Sequence, residues 1–228
     1  MEGQTPAEKF LIDEIISSIN RDGTEKTIIN MGAGMSPLIE DTVLSQTHSP
    51  ILWDRLDVID SKIDRPFIRQ YFSTSVEVMT PVASGAYDIA FANYVLEHVK
   101  NISAAVAEIW RVVKPGGVFI LSSPNPAAPE FILSKYTPLW FHQLIKGAGH
   151  DHAAHETHYA YRNIDELVAM FHKQGFTLTK RRFFPFTFGY LHRYPVLRQM
   201  SRAYDALVAL TGSTRLMGNV GLVFTKPR

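Results

Sequence analysis

Hydrophobic positions along this chain follow two alternating periods. Between Pro6 and Asn20, the residues Phe10, Leu11, Ile15, Ile16 and Ile19 fall at helical spacing, and Arg21-Asp22-Gly23 closes the segment. Residues 27–31 then form a continuous apolar run, as a strand buried on both faces requires, and a helix over 37–45 follows. The pattern predicts a second strand over 55–60 with Asp60 at its carboxyl end, a third over 67–72 and a fourth over 87–92. A helix over 101–113 places Ile102, Val106, Ile109 and Val113 on one face, and Pro115-Gly116-Gly117 stops it ahead of a fifth strand, 118–122. Strands and helices alternating in this way predict a doubly wound α/β sheet.

Beyond Ser122 the pattern changes. Pro124, Pro126 and Pro129 punctuate a loop that leads into an aromatic and aliphatic stretch, 131–145. Asn163 caps a helix over 164–174, closed by Gly175, and 176–184 and 219–225 read as two further strands. An aromatic run, Phe183, Phe184, Phe186, Phe188 and Tyr190, starts at the end of the first of these, and a helix over about 196–210 with an apolar stripe follows. The reading is a single domain, 1–228, carrying two insertions, 124–162 and 185–217, expected to form an acceptor pocket and its lid.

Composition narrows the chemistry. A hydrophobic share of 46% over 228 residues suffices for a sizeable core. The formal charge of +1 gives no basic field that would call for nucleic acid, and the absence of cysteine rules out disulfides and thiol chemistry. The opening Met1-Glu2-Gly3-Gln4 lacks a leader pattern, and no apolar run approaches the ~18 residues of a membrane span, so a cytoplasmic protein is expected.

The stretch Asn30-Met31-Gly32-Ala33-Gly34-Met35-Ser36 ends the first strand in a Gly-x-Gly turn, which lets bare backbone approach a ligand at the carboxyl end of a parallel strand. A carboxylate at the next strand's end, about 26 residues past Gly34, suits a ribose. Pro37 stands where a dinucleotide fingerprint needs its third glycine, which disfavours a nicotinamide-dependent oxidoreductase.

These residues, with Val95-Leu96-Glu97-His98-Val99, the stretch Glu108-Ile109-Trp110-Arg111-Val112-Val113-Lys114-Pro115-Gly116-Gly117 and Ser123-Pro124-Asn125, resemble class I S-adenosylmethionine-dependent methyltransferases. The branch they are similar to contains the quinone-biosynthesis O-methyltransferases. The resemblance implies a Rossmann-like seven-stranded sheet of order 3-2-1-4-5-7-6 with strand 7 antiparallel. It also implies S-adenosyl-L-methionine as cofactor. Asn30, Gly32, Ala33 and Gly34 would lie along its methionine part, Asp60 on the ribose hydroxyls, Ser61 against adenine, and Ser75, Val76 or Glu77 at the adenine edge. Asn93 and Tyr94 would face the transferable methyl. The chain departs from the family at Asn30, where an acid is usual, and at Ser36, where glycine is usual; weaker cofactor binding is the expectation, and a non-catalytic relative is the alternative.

For the acceptor, a base is needed if a hydroxyl is methylated, and His158 leads, with His155 second. The cluster His150, His152, His155 and His158 reads first as solvated loop and next as substrate pocket; its spacing fits no established zinc pattern, so no metal is expected. Glu97 and His98 read as structural. The aromatic insertions favour a small, partly apolar acceptor and leave peripheral membrane contact and oligomeric state open.

Overall fold

The computed structural model describes residues 4–60, 62–129, 131, 157–187 and 195–228. Helix α1 (Pro6–Ile19) starts at a capping box, in which Thr5 accepts from the Glu8 N–H and Glu8 accepts from the Thr5 N–H. Strand β1 (Lys26–Met31) and helix α2 (Leu38–Ser45) follow, then β2 (Ile51–Asp57), β3 (Ile68–Ser73) and β4 (Tyr87–Asn93). A 3-10 turn (Leu96–His98) leads to α3 (Ile102–Val112), which runs into the long β5 (Val113–Pro124). Among the described residues the remaining elements are α4 (Ile164–Gln174), β6 (Thr177–Phe184), α5 (Pro195–Thr211), a second 3-10 turn (Thr214–Leu216) and β7 (Asn219–Thr225).

The seven strands form one sheet in the order β3-β2-β1-β4-β5-β7-β6. Strands β1 to β5 pair in parallel, and β7 runs antiparallel to both β5 and β6. The order reverses between β1 and β4, and a crevice opens at their carboxyl ends, where open α/β sheets bind ligands. Core forms on both faces. Phe10, Leu11 and Ile15 of α1 cover Ile28, Phe91 and Ile120 on one side. Ile109 of α3 and Leu167 and Phe171 of α4 cover Ile29, Phe119 and Phe224 on the other. Burial on both faces explains why β1, β4 and β5 are apolar without alternation.

Two expectations are corrected. Strand β2 spans Ile51–Asp57 and not 55–60, so Asp60 lies three residues past its end. The strand stops because Asp57 Oδ1 accepts the Ile59 N–H at 3.1 Å, a local turn that breaks the ladder, after which Val58, Ile59 and Asp60 are exposed. Alternation is also incomplete. Among the described residues, helices occupy the β1–β2 and β4–β5 crossovers but neither β2–β3 nor β3–β4. No helix of the described residues is long and apolar enough to cross a membrane.

Candidate cofactor site

The loop after β1 is held from the side by the last three residues of β2. Leu56 O accepts the N–H of Gly32 at 2.8 Å and of Ala33 at 3.1 Å. Asp57 Oδ2 accepts the Gly34 N–H at 2.8 Å. Arg55 Nη2 donates to Ala33 O at 2.7 Å, Gly34 O at 2.9 Å and Ser36 O at 3.3 Å. Gly32 and Gly34 both adopt left-handed φ, +69° and +57°. At Gly32 a Cβ would stand 2.3 Å from Val95 Cγ2, so only glycine fits; at Gly34 it would meet nothing within 4 Å, because that backbone faces open space.

That space is a cavity of about 400 Å3, within the range usual for small-ligand pockets. Gly32 and Gly34 form part of its wall, with Asp57 at the end of β2, Ser75, Val76 and Glu77 after β3, Tyr94 and His98 after β4, and His158. Glu77 is fixed by accepting the N–H groups of Lys100 and Asn101 at 2.8 and 3.2 Å. Tyr94 has φ +56°, uncommon for a non-glycine residue, and its N–H donates to Ser122 O at 3.1 Å. The N–H groups of His158 and Tyr159 both donate to Glu97 O, which ties this segment to the 3-10 turn.

Of the residues picked from sequence, Gly32, Gly34, Ser75, Val76, Tyr94 and His158 therefore share one cavity. Ala33 is buried in the loop, and its carbonyl is taken by Arg55. Asn30 is buried beneath it and donates from Nδ2 to Glu40 Oε1 at 2.7 Å. Asn93 is held by Glu8 Oε1, to which its amide donates at 3.0 Å, and by the Ser122 hydroxyl. Asp60 does not line this cavity; it borders a second, smaller hollow with Lys62 and Tyr71. Ser61 and His155, with the rest of the histidine cluster before His158, lie outside the described residues.

Sequence reasoning missed Asp57, Arg55 and Glu40. Arg55 and Glu40 are fully buried, with Arg55 Nη1 3.4 Å from Glu40 Oε1. Burial pushes the Glu40 carboxyl up from its ordinary range, while Arg55 and the Asn30 amide pull it down. The available signal was a charged pair, Asp54-Arg55, inside a segment flanked by Trp53 and Leu56; buried charge of that kind needs a specific partner.

Residues 16–181 match the methyltransferase-domain family. The chain belongs to that family. A ubiquinone biosynthesis O-methyltransferase from Dechloromonas aromatica is 26% identical over 152 residues, 62% of each chain. The chain spans only about half to three-fifths of the length of curated ubiquinone biosynthesis O-methyltransferases that it matches. A Listeria monocytogenes structure described as a putative S-adenosylmethionine-dependent methyltransferase aligns with TM-score 0.60 at 13% identity, over 98% of this chain and 100% of that one. The [4+2]-cyclase SpnF aligns with TM-score 0.58 at 13% identity, over 96% of this chain and 81% of that one. These structural likenesses concern the fold.

Proposed function

We propose that this chain is an S-adenosylmethionine-dependent methyltransferase acting on a small, partly apolar acceptor, by O- or N-methylation. The observation that carries the reading is the Gly32–Gly34 backbone opening onto a cavity that Asp57 also lines. That donor set fits the nucleoside: Asp57 offers a carboxylate to paired ribose hydroxyls, and Ser75-Val76 offers a part-apolar edge to adenine. When bound, the sulfonium cofactor supplies an already activated methyl group. The protein's part is to align an acceptor and exclude water, a task for Tyr94 and His158, which also line the cavity, and for the insertions 124–162 and 185–217. His158 is the proposed base for a hydroxyl acceptor, and the names of the quinone-biosynthesis relatives favour oxygen.

Two rival readings weigh less. A dinucleotide site uses loop amides on phosphate, whereas three amides of this loop already donate to β2, and Pro37 replaces the helix-packing glycine. A non-catalytic relative of the fold, the reading that Asn30 favours, would bind the cofactor and transfer no methyl.

Calorimetric titration of the full chain with S-adenosylmethionine and S-adenosylhomocysteine is the test. Wild type is expected to bind both. Asp57→Asn is expected to weaken binding by about tenfold or more, through loss of a charge-assisted pair, and Asp60→Asn by less than about twofold. Full affinity in Asp57→Asn would move the ribose elsewhere, and Asp60→Asn losing binding would return it to Asp60. Once an acceptor is found, unaltered turnover in His158→Ala would remove His158 as the base.

A further inference from the structure

We infer that Glu40 and Arg55 are a positioning pair for the cofactor loop, and that Glu40 is the anion this loop depends on in place of an acid at position 30. The inference rests on the methyltransferase reading only for the identity of the ligand. Arg55 spans three loop carbonyls with one nitrogen, which turns those oxygens away from the cavity and fixes the left-handed backbone at Gly34. A guanidinium with no exposed surface can do this only beside an anion, and Glu40, equally buried, stands 3.4 Å away. Asn30 completes the arrangement, because its Nδ2 gives Glu40 Oε1 a donor at 2.7 Å.

Asn30 is also the cross-strand neighbour of Arg55 in the β1–β2 ladder. A carboxylate at either 30 or 40 could therefore face Arg55, but one at both would set two acids within a single hydrogen-bond length beside one cation. Like charges that close oppose ionisation of the second acid. The present arrangement places the donor on β1 and the acceptor on α2. Reversing them, with Asp at 30 and Gln at 40, keeps one hydrogen bond and one charge beside Arg55.

The experiment compares wild type, Asn30→Asp, Glu40→Gln and the double variant Asn30→Asp/Glu40→Gln in the full chain. Each is titrated with S-adenosylhomocysteine and with 5′-methylthioadenosine, which lacks the amino-acid part that the loop would hold. Each single variant is expected to bind S-adenosylhomocysteine about tenfold more weakly, and the double variant to recover to within about threefold of wild type. Methylthioadenosine affinity is expected to stay within about twofold throughout, because Asp57 and Ser75, proposed for the adenosine half, hydrogen-bond to neither member of the pair. Single variants that bind like wild type, a double variant no better than the singles, or equal loss of both nucleosides would overturn the role assigned to the pair. Wild type binding neither nucleoside would instead overturn the cofactor reading.

Discussion

Two glutamates are buried at the ligand end of this sheet, and they are handled in opposite ways. Glu40 sits under the glycine loop with a guanidinium 3.4 Å away and an amide donor at 2.7 Å. Glu97, in the turn after β4, has no cation in contact and no side-chain hydrogen bond among the described residues, although Oε2 of each glutamate is without a partner. Burial raises both; at Glu40 the cation and the amide oppose it, and at Glu97 the carboxyl is pushed up to about 8. A buried acid that is paired can hold backbone in place by its charge. An unpaired one is held toward its protonated form by burial and contributes shape in place of charge.

The sharpest way to break this contrast is to make Glu40 resemble Glu97. Arg55→Met removes the cation and leaves an uncompensated buried carboxylate, with an expected cost of about 3–5 kcal/mol in urea unfolding. A cost under about 1 kcal/mol would mean that the ion pair contributes little. Glu97 gives the next effect. Its folded value of about 8 lies above the ordinary 4.5, so its stabilising contribution is complete at acid pH and is lost as pH rises toward and through 8. Wild type is expected to lose roughly 3 kcal/mol relative to Glu97→Gln between pH 5 and pH 8, read from urea midpoints at each pH. Parallel curves for the two proteins would show that Glu97 titrates normally.

Smaller changes sharpen the comparison. Asn30→Ala takes the amide from Glu40 without touching Arg55 and should cost about 2 kcal/mol, the value of a hydrogen bond to a charged group. Tyr161, buried against the Glu97 turn, shares a 2.7 Å hydrogen bond with the Ser123 hydroxyl. Tyr161→Phe is expected to cost about 1 kcal/mol in thermal unfolding, the least of the four.

The strands buried on both faces could be read from sequence because continuous apolar runs have few other uses. The 27–31 run and the 118–122 run lie within β1 and β5. Strand β2 resisted because its charges are satisfied at a distance. Arg69 and the Tyr87 hydroxyl reach Asp54, and Arg55 reaches a loop some twenty residues earlier in sequence, so nothing local distinguishes the segment from a polar turn. The choice between Asp57 and Asp60 had the same cause: both are acids near a strand end, and only the register that sets Met31 opposite Leu56 brings Asp57 to Gly34. Glu40 looked like an ordinary first-turn acid of α2, since helical spacing says nothing of a guanidinium rising beneath it from another strand. The turn glycines and the residues after β3 and β4 were easier to find because strand-end loops in such a sheet converge on one crevice.

The antiparallel β7, wedged between β5 and β6, also sets a timetable for synthesis. Everything around the β1–β4 crevice precedes it in the chain and can pair as it emerges. Strand β5, however, offers an open edge, and β6 has no neighbour at all, until residues 219–225 arrive to bridge them. Across that interval a growing chain carries an exposed strand lined by Phe119, Ile120 and Leu121, a template for pairing with another copy. Slowing translation between β6 and β7 should therefore lower the soluble yield, and a chain halted before residue 219 should be found in aggregates.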